Sequence, residues 1–245
     1  MTRLQLIQQV ALHMDEVSPE ITIANLSVDG SDNNPLYTLI DGLVDAGALE
    51  LFSIAPYWRL EQTEFGDGYV KTESVGTTRK INDGQGQISA RKIIRLRVPD
   101  DFLRVAEISH PSFQRPITEV VPEMSEMGKR QHNPFLMAKE ARPVGVMSHG
   151  EWTLNAGTES EETLQCREID CYSIPSSGTT TGLAATYIAK PRTIKDSSPA
   201  VTVEEAIPPV LIPALKWLIA SRAFGARGDA NHASICQQNA QNVLV

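Results

Sequence analysis

The chain has 245 residues, of which 41% are apolar and 21% are charged, values typical of a folded protein with one large domain or two small ones. A net charge of -8 disfavours binding to DNA or to an anionic membrane over the whole surface. No run approaches the roughly 20 apolar residues that span a bilayer, and three cysteines are too few for a disulfide framework. The first residues lack a signal-peptide core, so synthesis in the cytoplasm is the simplest expectation.

Two amphipathic helices are predicted at the N-terminal end. Thr2 is the expected N-cap of the first, whose apolar residues recur at spacings of three and four: Leu4, Ile7, Val10, Ala11 and Met14. Asn34 as N-cap and Pro35 as first helical residue begin the second helix, which is expected to end at Gly47 in a left-handed conformation. Its apolar face consists of Leu36, Leu39, Ile40, Leu43 and Val44.

Strand patterns fill the middle of the chain, where β-branched and aromatic residues alternate with polar ones. In the clearest strand, residues 91–98, one face carries Lys92, Ile94, Leu96 and Val98, and the other carries Arg91, Ile93, Arg95 and Arg97. Four further strands are predicted in FLRVAEIS, PVGVMSHGEWTLNAG, TLQCREIDCYSI and AATYIAKP. The Gly-rich segment 66–87 predicts a long loop or hairpin.

Two unequal helices are predicted at the C-terminal end. The first is apolar on nearly every side, and its hypothesised core or inter-subunit face consists of Leu211, Leu215, Trp217, Leu218 and Phe224. Gly228 is expected to end this helix and Asp229 to cap the next. The last helix shows a single apolar seam made of Ala233, Cys236, Ala240 and Val243.

This order of elements predicts an α+β fold, in which the N- and C-terminal helices form a helical layer beside a central antiparallel β-sandwich or partly open barrel. Residues 1–48 and 205–245 are expected to form the helical layer. Residues 49–204 are expected to form the β region, with the loop or hairpin near 66–87. One domain overall is the simplest organisation.

No catalytic, cofactor-binding or metal site is predicted. The five histidines lack partners at ligand spacing, and Cys166 and Cys171, five residues apart, are expected on opposite faces of one strand. Arg91, Arg95 and Arg97 have three interpretations: a solvated sheet face with acidic partners, a charged interface stripe that meets an acidic neighbouring chain, or a DNA contact. The acidic composition disfavours the last of these.

Several segments together carry a resemblance to a known family. They are LRVPDDFLRVAEI, RPITEVVPEMSEMGKRQHNPF, the strands RPVGVM, TLQCREIDCYSI and ATYIAKP, and the ending IPPVLIPALKWLIASRAFGARGDANHASICQQNAQNVL. In the order and residue pattern of these segments, residues 90–245 resemble the head-to-tail adaptor proteins of tailed bacteriophages, also called neck ring or tail-tube adaptor proteins. The similarity is strongest to those of short-tailed phages, including the crAss-like group.

The resemblance implies a structural virion protein of the neck, between head and tail. Copies would form a closed dodecameric ring under the portal protein, bind the next neck or tail ring protein, and leave a channel for DNA. DNA would be passing cargo without sequence-specific binding. No membrane, cofactor, metal or enzyme activity is implied.

Three alternatives stay open. The first is a tail-tube or distal-tail structural protein, a class that needs little helix. The second is a hydrolase with a dispersed site on a β scaffold. The third is a free-standing adhesin or peptide-binding module.

Overall fold

The computed structural model describes residues 1–17, 35–65, 69–75, 91–131, 138, 141–154, 162–174 and 182–245. These residues form two compact units. The helical unit comprises Met1–Glu61 and Lys190–Val245, and the β unit comprises Gln62–Ala189. Residues 49–61 and 190–204, which the sequence pattern assigns to the β region, thus belong to the helical unit. The predicted α+β class is confirmed, with helices at both ends of the chain and two sheets between them.

The elements follow the predicted order. The α-helices are α1 (Arg3–Val17), α2 (Pro35–Ile54), α3 (Glu126–Arg130), α4 (Val203–Ala206), α5 (Ile212–Ala226) and α6 (Ala230–Leu244). Short 3-10 turns cover Tyr57–Arg59 and Pro209–Leu211. The strands are β1 (Thr63–Glu64), β2 (Val70–Val75), β3 (Arg91–Arg97), β4 (Phe102–Ser109), β5 (Val120–Pro122), β6 (Gly145–Leu154), β7 (Glu162–Ile174) and β8 (Ala184–Ala189).

Helix α5 is the centre of the helical unit, where it packs against α1, α2 and α6. Apolar residues cover most of its circumference, so it can be buried on more than one side. Its buried residues are Ile212, Ala214, Leu215, Leu218, Ile219, Ala220, Ala223 and Phe224. Helix α6 is buried only along Cys236, Ala240 and Leu244. The predicted contrast between the two closing helices is therefore confirmed.

The predicted helix signals at Thr2, Gly228 and Asp229 are confirmed. The Thr2 hydroxyl accepts a hydrogen bond from the Gln5 N–H (3.1 Å), and the Gln5 side-chain oxygen accepts one from the Thr2 N–H (2.9 Å). Gly228 has a φ of +81°, and the Asp229 carboxylate accepts a hydrogen bond from the His232 N–H (3.1 Å). These signals are local, so sequence alone reveals them. The expected cap Asn34 lies outside the described residues.

Gly47 does not end α2, so that prediction is wrong. The helix continues to Ile54 and stops before Pro56, whose ring and missing N–H do not fit a helix interior. Gly47 is buried where α2 meets α5, and a Cβ at this position would lie 2.6 Å from Cγ1 of Ile219. The glycine is needed for this close approach of two helices and makes no turn.

The first apolar stripe begins later than predicted. Leu4 is 37% exposed, whereas Leu6 is fully buried, together with Ile7, Val10, Ala11 and Met14. The Arg3 guanidinium holds the start of α1 against the rest of the helical unit. Its Nε lies 2.5 Å from the Asp41 carboxylate, and its Nη1 donates a hydrogen bond to the Ile194 carbonyl (2.6 Å). Both ends of the chain thus take part in one helical unit.

The β unit contains a three-stranded sheet in the order β1-β8-β4 and a five-stranded sheet in the order β2-β3-β7-β6-β5. The described strands form two separate sheets and do not close into a barrel. All described pairs are antiparallel except β5–β6, which is parallel and departs from the expected antiparallel sandwich. One apolar core takes residues from both sheets, including Ile94, Leu96 and Ile169 of the larger one and Phe102 and Ile108 of the smaller one.

The predicted alternation of β3 is confirmed. Ile94, Leu96 and Val98 lie in the core that both sheets share, whereas Ile93 packs with Val146 and Tyr172 in a separate cluster. Within the segment 66–87, residues Val70–Val75 pair with β3, as a hairpin arm would. Residues 66–68 and 76–90 lie outside the described part of the chain.

Candidate functional site

The hypothesised helix face on α5 and in the turn before it is mostly internal. Leu211 and Leu215 are fully buried, and Leu218 and Phe224 are 1% and 2% exposed. Trp217 is half-buried, and its ring stacks on His13 of α1 with centroids 4.7 Å apart. Four of the five residues thus lie in the core of the helical unit and have no surface left for a second subunit, whereas Trp217 is partly exposed.

The predicted arginine stripe has acidic partners inside its own sheet. Arg95 faces Asp170 across the β3–β7 pair, and its guanidinium binds this carboxylate through Nε (2.6 Å) and Nη2 (3.2 Å). Arg95 Nε also lies 3.2 Å from Glu168. Glu168 and Asp170 are only 1% and 6% exposed. Buried carboxylates need such a partner, because an unpaired charge in an apolar environment is strongly unfavourable.

The neighbouring positions complete this charged centre. Arg97 faces Glu168 in the strand register, and its guanidinium lies 4.2 Å from the Tyr69 ring centroid and 6.0 Å from that of Trp152. Gly150 makes room for Glu168, since a Cβ there would lie 2.7 Å from Cδ of the glutamate. The arrangement has the acidic partners of the first interpretation, but both carboxylates are buried, so they are not solvated as that interpretation expected. The side chain of Arg91 is not described, and a contact of the stripe with a neighbouring chain stays a prediction.

Burial raises the pKa of two of the three thiols, Cys171 and Cys236. Burial, together with Asp170, raises the pKa of Cys171 far above its ordinary range, and Cys171 lies in the core between the sheets. Burial and the Asp229 charge raise the pKa of Cys236 to about 11. Thiolates are the reactive form of cysteine, so the raised pKa values favour the less reactive thiol form of both residues at neutral pH. Cys166 is half-buried and is not part of a disulfide bond.

The β unit contains a cavity of about 330 Å³, lined by Glu64, Tyr69, Pro99, Asp100, Asp101 and Tyr187. The Tyr187 hydroxyl donates to Asp101 (3.1 Å), and burial together with this bond raises the pKa of Tyr187 to about 12. The lining therefore combines carboxylates with phenols, and Tyr187 and Asp101 are directly hydrogen-bonded. Within the described residues, no group of three or more His, Cys, Asp or Glu side chains is placed to hold a metal ion.

An exposed aromatic pair is the feature that sequence reasoning missed. Trp58 is 68% exposed and Tyr57 is 39% exposed, with their rings in an edge-on contact at 5.6 Å. Ile54, at the end of α2, is 45% exposed. The signal was present in the consecutive residues Tyr57, Trp58 and Arg59, because these three residue types are enriched at protein interfaces.

A second exposed apolar site lies in the β unit. Met124 is 76% exposed and Met127 is 46% exposed, at the start of α3. Both methionines flank Ser125, whose hydroxyl caps the helix by accepting from the Gly128 N–H (3.0 Å). Flexible thioether side chains can adapt to different apolar partners.

No protein-family model matches this chain, and no curated protein matches it significantly. None of the helices in the described residues is both long enough and apolar enough to cross a membrane.

Proposed function

We propose that this chain is a structural virion protein of a tailed bacteriophage, a ring-forming head-to-tail adaptor that joins the capsid to the tail under the portal. Its partners are further copies of itself, the portal protein and the next neck or tail ring protein. The proposal assigns it no enzyme activity, and DNA passes through the ring as cargo.

The exposed aromatic pair is the observation that carries an assembly role. Trp58 is 68% exposed and contacts the exposed ring of Tyr57, and exposed apolar patches mark interaction sites. Aromatic side chains of this kind typically provide much of the binding energy of a protein interface. We assign the assembly to the phage neck because the order of sequence segments from residue 90 onward resembles that of neck adaptors.

The charge of the chain is compatible with a conduit for DNA. Each copy carries a net charge of -8, so a ring of copies is acidic overall. Like charges repel phosphate, which lets DNA slide without adhering. Sequence-specific recognition would require the opposite sign of charge.

The proposal is tested by measuring the mass of the purified chain by mass photometry, alone and mixed with a portal protein. A ring of twelve copies, or a complex formed on the portal, is the expected result. Six-fold rings would favour the tail-tube or distal-tail alternative. A chain that is monomeric at every concentration and binds no portal or neck preparation would refute an adaptor role.

A further inference from the structure

The outer face of α6 lacks charged side chains. The helix spans Ala230–Leu244 and contains no Asp, Glu, Lys or Arg, whereas every other α-helix in the described residues contains at least one. Its buried seam faces the rest of the helical unit. The exposed residues of the helix are Ala230, Asn231, Ser234, Ile235, Gln237, Gln238, Gln241 and Asn242.

The charge of the chain makes this uncharged face the favourable place for contact between copies. Two copies with a net charge of -8 repel each other wherever like charges meet. A neutral face avoids this repulsion and also avoids the large free-energy cost of removing a charge from water. Asn and Gln amides carry both donors and acceptors, so they can satisfy polar groups of either kind on a neighbouring copy.

The exposed aromatic pair lies beside the C-terminal end of α6. Arg59 directly follows Trp58 and donates hydrogen bonds to the carbonyls of Val243 (3.0 Å) and Val245 (3.3 Å). These bonds hold the 3-10 turn Tyr57–Arg59 against the end of the helix. The neutral helix face and the aromatic pair therefore form one neighbourhood of the helical unit, with aromatic anchors at one end.

We propose that this α6 surface, meaning the outer face of α6 together with Tyr57 and Trp58, binds a second copy of this chain. The inference rests on the self-assembly in the proposed function and identifies the surface that mediates it. Its supporting argument is the net charge of -8, because two acidic copies repel each other least where they meet through uncharged surfaces. The α6 surface takes the place of the α5 face as the candidate contact between copies, because the α5 face is already buried within each copy.

The test compares the full-length wild type with Gln238→Glu and Trp58→Ala by mass photometry over a range of concentrations. Gln238→Glu adds one carboxylate to the middle of the surface, and Trp58→Ala removes the largest exposed aromatic ring. Each is expected to raise the concentration for half-assembly by about tenfold or more. Gln238→Asn keeps the amide and is expected to assemble like the wild type.

Thr193→Glu is the matched control, since it adds the same charge at an exposed residue of the helical unit that belongs neither to α6 nor to the turn Tyr57–Arg59. Far-UV circular dichroism verifies that each variant is folded. If the wild type assembles and both Gln238→Glu and Trp58→Ala assemble equally well, the α6 surface is not the contact, although self-assembly itself stands. Loss of assembly in Thr193→Glu to the same degree would also refute the α6 surface as the contact. A monomeric wild type would overturn both proposals, whereas a dimer that the variants dissociate would support the surface and refute the ring.

Discussion

Gly47 lies where helices α2 and α5 come closest, and replacing it by alanine measures how tightly they pack. The new Cβ would lie 2.6 Å from Cγ1 of Ile219. Ile219 is fully buried and β-branched, so its side chain has little freedom to move away. Overpacking of this kind costs about 1–3 kcal/mol. The higher helix propensity of alanine offsets about 1 kcal/mol of this cost, so the free energy of unfolding is expected to fall by up to about 2 kcal/mol.

Gly42 provides the matched control on the same helix. A Cβ there meets no atom within 4 Å, so Gly42→Ala is expected to stabilise the unit by about 0.5–1 kcal/mol through propensity alone. Urea unfolding followed by the helical signal at 222 nm measures both variants. A Gly47→Ala protein as stable as Gly42→Ala would refute the close contact.

Ile219→Ala extends the test to the partner side chain. In the wild type this substitution is expected to lower the free energy of unfolding by about 2–5 kcal/mol through the cavity that it creates. In the Gly47→Ala background the loss is expected to be smaller, because the same truncation removes the overlapping Cγ1 atom. Strictly additive losses would show that the two residues do not interact.

Three further predictions concern single side chains. Phe224→Ala should lower the free energy of unfolding by about 3–5 kcal/mol because the ring is 2% exposed. Arg227 is exposed, so Arg227→Ala should change the free energy of unfolding by less than about 0.5 kcal/mol. Equal losses in the two variants would argue against the burial of Phe224. Hydrogen bonds from the side chain and backbone of His232 lower the pKa of Asp229. The ionised carboxylate therefore stabilises the fold above the unfolded pKa of about 4, and this stabilisation is lost as the pH falls further through the lowered pKa. Asp229→Asn retains an N-cap, and its stability deficit should vanish in acid urea titrations. Cys171 should resist an aromatic disulfide reagent until urea unfolds the protein, and rapid native labelling would contradict its burial.

Local signals explain what the sequence predicts well. The positive φ of Gly228 and the cap at Asp229 depend on residues within one helical turn, and both were predictable. Strand β4 coincides with its predicted segment because apolar residues and a preceding Pro-Asp-Asp turn delimit it. The burial of α5 follows from its composition, which leaves few polar positions for solvent.

Long-range packing explains the rest. Gly47 is typical of a helix end in sequence, and only the presence of Ile219 shows that it is a packing residue. The arginines of β3 were visible as a stripe, but strand register decides that Asp170 is the partner of Arg95. Nor does any local pattern predict the parallel β5–β6 pair, since alternation is the same in both orientations.

The division of the helical unit between the two ends of the chain determines the order in which the protein is completed during synthesis. The β unit is one continuous segment, so its sheets can form as soon as residue 189 has left the ribosome. Helices α1 and α2 cannot pack against α5 until it has been translated, roughly 150 residues later. At ordinary elongation rates this delay is about 8–30 seconds. During that interval the surfaces of α1 and α2 that pack against α5 lack this partner, so we expect the N-terminal segment to be the part of the nascent chain that is most open to chaperone binding.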